Sequence, residues 1–77
     1  MWIEFYDMSS GGTEKTPYTK IFIEAESEEE AVEIFENKFD RYPYNVTCEC
    51  CGCDFAVYQV DEPEYSEGYL VINNHSK

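Results

Sequence analysis

Seventy-seven residues, with seventeen Asp and Glu against five Lys and Arg, give a net charge of −12 and an isoelectric point near 4.1. Such a chain repels nucleic acid and anionic membrane surfaces, because phosphate binding depends on lysine and arginine releasing counterions. The length allows one small α+β domain, residues 1–77, whose buried apolar surface only narrowly outweighs chain entropy, so a metal, a dimer or dense aromatic packing is expected to help.

Aromatic packing is available: seven tyrosines, five phenylalanines and Trp2 each bury a large area for few lost rotamers. No apolar run approaches the roughly 18 residues of a membrane span, and no charged-then-apolar leader is present, which makes a cytoplasmic location the expectation.

Residues 2–8, WIEFYDM, alternate as a strand does, with Ile3 and Phe5 on one face and Trp2, Glu4 and Tyr6 on the other. Residues 9–17, SSGGTEKTP, are dense in turn formers and read as a long loop. Residues 18–26, YTKIFIEAE, form a second strand, with Ile21, Ile23 and Ala25 opposed to Lys20, Phe22 and Glu24. The connection is too short for a crossover helix, so the two strands pair as an antiparallel hairpin.

The stretch Ser27 to Asp40, SEEEAVEIFENKFD, is a helix. Ser27 and Glu30 make a capping box, in which the serine oxygen accepts from a first-turn N–H and the glutamate reaches back to the serine N–H. Glu28, Glu29 and Glu30 place negative charge at the positive end of the helix dipole. At about 100° per residue, Ala31, Val32, Ile34, Phe35 and Phe39 share a broad apolar face with the stem of Lys38 on its edge, while Glu29, Glu33, Glu36 and Asp40 line the opposite side. Pro43, in RYPYN (41–45), then ends the helix.

Residues 54–60, DFAVYQV, alternate as a third strand, and DEPEYSEG (61–68) is an acidic connection into YLVIN (69–73), a fourth. The order ββαββ implies a small antiparallel β-sheet covered on one face by a single helix. Trp2 and Tyr6, on the second face of the first strand, offer a surface for a homodimer.

Between helix and third strand lies CECCGC, four cysteines in six residues: Cys48, Cys50, Cys51 and Cys53. Cys48-x-x-Cys51-Gly52 has zinc-knuckle spacing, since a two-residue gap lets both thiolates face one ion while glycine permits the tight turn. A closed site needs four ligands. Cys53 or Cys50, His75, or the same cysteines of a second chain would complete it; Cys48, Cys51 and Cys53 are the candidate zinc set, and adjacent Cys50 and Cys51 point in different directions. Reduced thiols without a metal role, and a disulfide formed on purification, stay open as alternatives. Thiol-redox chemistry is a weaker reading, because the cluster follows a helix instead of opening one, beside Glu49 and Asp54.

Nothing in the chain has the pattern of a catalytic site. His75, the sole histidine, lies near the end; Gly11-Gly12 is followed by Thr-Glu-Lys and a strand, not by the Gly-Lys-Ser and helix that cradle phosphate. Carboxylates are abundant everywhere, so no pair stands out. The expectation is a protein that is not an enzyme.

In WIEFYD (2–7), IFIEAESEEEAVEIF (21–35) and PYNVTCECCGCDF (43–55), the chain resembles a group of small uncharacterised acidic bacteriophage proteins with a cysteine knuckle. Cys53 departs from that pattern, where an acidic residue is expected, and residues 61–77 have no counterpart in it. The resemblance implies a host-takeover or anti-defence factor that acts in the host cytoplasm by binding and inhibiting a host protein. Its partner would present a basic, nucleic-acid-binding surface. The working surface would be Glu29, Glu33, Glu36 and Asp40, extended by Asp61, Glu62, Glu64 and Glu67. Carboxylates one turn apart are about 5–6 Å from each other, close to successive phosphates on a DNA strand, so the surface suits a DNA mimic. A zinc-knuckle adaptor is the alternative.

Overall fold

A computed structural model describes the chain at residues 1–8, 16–45 and 52–73. The elements run β1 (Trp2–Asp7), β2 (Lys20–Glu24), α1 (Glu28–Phe39), β3 (Phe55–Val60) and β4 (Tyr69–Ile72). They build an α+β domain in which one helix lies on a four-stranded sheet of order β3-β1-β2-β4.

Alternation decides which side chains meet the helix. Ile3 opposes Ile23 and Phe5 opposes Ile21 across the antiparallel β1–β2 pair, and Phe5 opposes Val57 across the antiparallel β1–β3 pair. Ile3, Phe5, Ile21, Ile23 and Phe55 are buried together with Ala31, Val32 and Phe35 of α1; Ile34, Phe39, Leu70 and Ile72 pack around them. Phe35 is the hub. Its ring stacks on Phe5 with centroids 4.7 Å apart and meets Phe39 and Phe55, each at 4.9 Å.

The helix begins where the capping residues place it. The Ser27 hydroxyl accepts from the Glu30 N–H at 3.1 Å, and the Glu30 carboxylate accepts from the N–H of Glu26 at 2.7 Å. The glutamate thus reaches one residue beyond the serine N–H, outside the ordinary capping box. At the other end Asp40 adopts the left-handed conformation (φ 55°, ψ 41°) and its N–H donates to the Glu36 carbonyl.

One pairing departs from the antiparallel sheet expected. β4 joins β2 in parallel, Lys20 beside Tyr69 through Ile23 beside Ile72, so the sheet is mixed. The reason is the route of the chain. β3 and β4 occupy opposite edges, so residues 61–68 must cross β1 and β2 before β4 begins. They cross the face away from the helix, where Glu64 reaches Lys20. The Gly68 carbonyl then accepts from the Thr19 N–H at 2.8 Å, which aligns β4 with β2.

This acidic strap changes the character of the second face. Phe22, on that face, is fully buried, Glu4 is 5% exposed, and Trp2 and Tyr6 are half-buried. The bare aromatic surface expected to pair two copies is therefore in part already covered by the chain itself. No helix among the described residues is long and apolar enough to cross a membrane.

Candidate functional site

The expected acidic surface divides in two. Glu29, Glu33, Glu36 and Asp40 are all exposed along α1, on the side turned from the sheet, and no salt bridge among the described residues engages them. Asp61, Glu62, Glu64 and Glu67 are exposed as well, but they belong to the strap on the opposite face. Those two groups cannot address one flat partner surface together.

On the strap side one of these charges, Glu64, is internally answered. Lys20 Nζ lies 3.8 Å from Glu4 Oε2 and 3.5 Å from Glu64 Oε1, above the rings of Tyr6 and Tyr69 at 5.8 and 5.3 Å from their centres. Desolvation pulls the Lys20 ammonium down, but Glu4, Glu64 and Tyr69 outweigh it and its pKa is raised. Burial, then hydrogen bonding and charge from Glu4, push the Tyr58 phenol up too. Glu4, Lys20 and Glu64 thus make a chain of alternating charge whose work is to fasten the strap.

The helix stripe has no such answer. Glu28, Glu29 and Glu30 are accounted for by the helix dipole. Glu33 and Glu36 are not, and Asp40 is placed against its local chemistry. Its left-handed backbone is one aspartate adopts readily, but the carbonyl end of a helix repels negative charge.

At its N-terminal end the stripe adjoins a cleft of about 210 Å³ lined by Glu28, Glu29, Val32, Tyr42 and Tyr44. The cleft forms because the chain reverses after Asp40 and runs back beside α1. Pro43 is fully buried, and its carbonyl and that of Asn45 accept from the N–H groups of Phe55 and Asp54 at 3.2 and 2.7 Å. Pinned in this way, Tyr42 and Tyr44 stand edge to face, with centroids 5.4 Å apart and planes at 76°, and the Tyr44 hydroxyl donates to Glu28 Oε2.

Burial first, then the bond to Glu28 and its charge, raise the Tyr44 phenol from 10.0 to about 12; Tyr42 and Cys53 add to the shift. The neutral phenol is favoured in the folded state, so its contribution to stability is complete below pH 10 and is lost as pH rises through about 12. Tyr44→Phe is therefore expected to lower the urea midpoint at about pH 9, with the gap from wild type closing by about pH 12. A gap that holds constant across that range would mean the bond does not shift the phenol.

Sequence reasoning missed Glu28, Val32, Tyr42 and Tyr44 as surface-forming residues. Tyr-Pro-Tyr immediately after a helix was the available signal, since a buried proline there fixes the direction in which both rings leave the chain.

Of the zinc candidates, Cys48 and Cys51 lie outside the described residues, as do Cys50 and His75. Cys53 is exposed. Gly52 has φ +85°, the left-handed turn that knuckle spacing requires and that a side chain would strain. Among the described residues no group of three His, Cys, Asp or Glu is arranged to hold a metal ion. Comparison with protein-family models, curated proteins and solved structures finds no match to this chain.

Proposed function

We propose that this chain is a non-enzymatic binding protein whose acidic helix face docks on the basic surface of another protein. The observation that supports this reading is the stripe Glu29, Glu33, Glu36, Asp40, exposed along one side of α1 and matched by no salt bridge among the described residues. An acidic chain kept soluble by charge alone has no need of an aspartate at a helix C-cap, where it costs stability. Local rules broken on a surface are a mark of function.

Taken with the resemblance to small acidic phage proteins, the reading becomes a host-takeover or anti-defence factor. It acts in the host cytoplasm, where it inhibits a protein that ordinarily holds nucleic acid. The carboxylates of the stripe stand where phosphates would. The strap acids are left out of the contact, because the strap runs over the other face of the sheet, where Glu64 is held by Lys20.

The tagged protein, incubated with bacterial lysate and washed with rising salt, tests this. A basic, nucleic-acid-binding protein retained at about 0.1 M salt and released before about 1 M is the expected result, since screening shortens from about 10 to 3 Å over that range. A partner held equally at both salts would not be using the stripe.

A zinc-knuckle adaptor is the second reading, favoured by the left-handed turn at Gly52 directly after Cys51. Its readout is metal content: zinc that leaves with chelator, taking the fold with it.

A further inference from the structure

The cleft beside the stripe has features the stripe lacks: two tyrosine rings, the apolar Val32 and a backbone tied to Asp54 and Phe55 by hydrogen bonds. At about 210 Å³ it lies below the roughly 300–1,000 Å³ of pockets that enclose drug-sized ligands, so its size suits one side chain. Glu28 and Glu29 set its sign. A helix start with a neutral first turn would draw an anion, but here two carboxylates line the opening, and no lysine or arginine is among its lining residues.

The rings set its shape preference. Tyr42 and Tyr44 meet at 76°, so a flat cation lying against one ring presents its edge toward the other, in a cleft that Glu28 and Glu29 also line. A guanidinium is flat, weakly hydrated, and donates along its edge; an ammonium is compact and strongly hydrated. Glu28 is partly committed to the Tyr44 hydroxyl, which steadies both groups. Glu29, exposed, remains to receive the fork.

We infer that the cleft formed by Glu28, Glu29, Val32, Tyr42 and Tyr44 is an arginine-recognition pocket, the anchor by which the acidic face engages one arginine of its basic partner. The inference rests on the proposed function, since Glu29 belongs to both the pocket and the stripe. Arginine stacks on the rings while Glu29 accepts from its edge; Glu33, Glu36 and Asp40 then meet the surrounding positive charge.

The probe is blocked arginine, N-acetyl-arginine N-methylamide, titrated at about 0.15 M salt while the methyl and ring resonances of the protein are followed by NMR. Blocked lysine is the comparison. Saturable shifts are expected at Val32, Tyr42 and Tyr44, with tighter binding of arginine than of lysine. Tyr42→Ala, at a position already 44% exposed, keeps the core intact and is expected to weaken arginine binding about two- to fivefold, the usual worth of one exposed cation–π contact. Glu33→Lys with Glu36→Lys is expected to leave the shifts in the cleft.

Shifts spread along residues 33–40 and 61–67, unchanged by Tyr42→Ala, would overturn the pocket and leave the acidic face standing. Failure of the lysate partner to bind, while blocked arginine still fills the cleft, would overturn the proposed function and leave the pocket. No shift with either probe would refute the pocket outright.

Discussion

Phe35→Ala is expected to lower the free energy of unfolding by about 3–5 kcal/mol, the usual loss for a buried phenylalanine cut to alanine. At roughly 0.05–0.15 kcal/mol per residue, a domain of 77 residues holds about 4–12 kcal/mol in total. At the lower end of that range the variant would sit at the edge of folding. The Phe35 side chain ties helix to sheet: its ring touches Phe5 of β1, Phe39 of its own helix and Phe55 of β3. Removing this fully buried ring leaves a cavity in the core. Urea unfolding followed by far-UV circular dichroism measures the loss. Ile23→Val, in the same core, supplies the scale with an expected cost of about 0.5–1.5 kcal/mol. A Phe35→Ala loss below about 1 kcal/mol would mean that the ring cluster does not hold helix to sheet.

The second large effect concerns binding. Glu33→Lys together with Glu36→Lys reverses two charges at the centre of the stripe, taking the net charge from −12 to −8. Both side chains are exposed, and lysine matches glutamate in helix propensity, so the fold is expected to be kept. Each reversal removes an attraction and installs a repulsion against a basic partner, and facing like charges are costly. Binding of the captured partner is expected to weaken at least tenfold at about 0.1 M salt, equivalent to about 1.4 kcal/mol. Reversing Glu62 and Glu67 in the strap is the matched control, with the same change in net charge. Equal losses in the two variants would show that total charge, not the helix face, governs association.

The faces of β1, β2 and β3 were legible in the sequence because a period of two assigns Ile3, Phe5, Ile21, Ile23 and Phe55 to one side whatever the strands pair with. The helix and its caps were legible for a similar reason, since Ser27, Glu30 and the apolar face are local signals. Neighbour choice is not local. Period two assigns the face of β4 and says nothing about which strand it joins or in which direction, so the parallel β2–β4 pair and the strap across Glu4 and Phe22 were hidden.

The acidic residues show the same limit. Glu64 and Glu33 look alike in a chain this charged, and only the route over Lys20 separates a fastening from a free surface. The cleft was hidden because Tyr44 and Glu28 are sixteen residues apart and meet only after the chain turns back on its own helix. What did carry over is that Glu29, Glu33, Glu36 and Asp40, named from helical spacing alone, are exposed together on one face.

The measurement that bears most directly on that face is the affinity of the captured basic partner for wild type and for the Glu33→Lys, Glu36→Lys variant, taken side by side at about 0.1 and 0.5 M salt. A helix face that docks by charge predicts a difference of at least tenfold at low salt that shrinks as salt screens it. Equal affinities at low salt, for a variant shown to be folded, would contradict it.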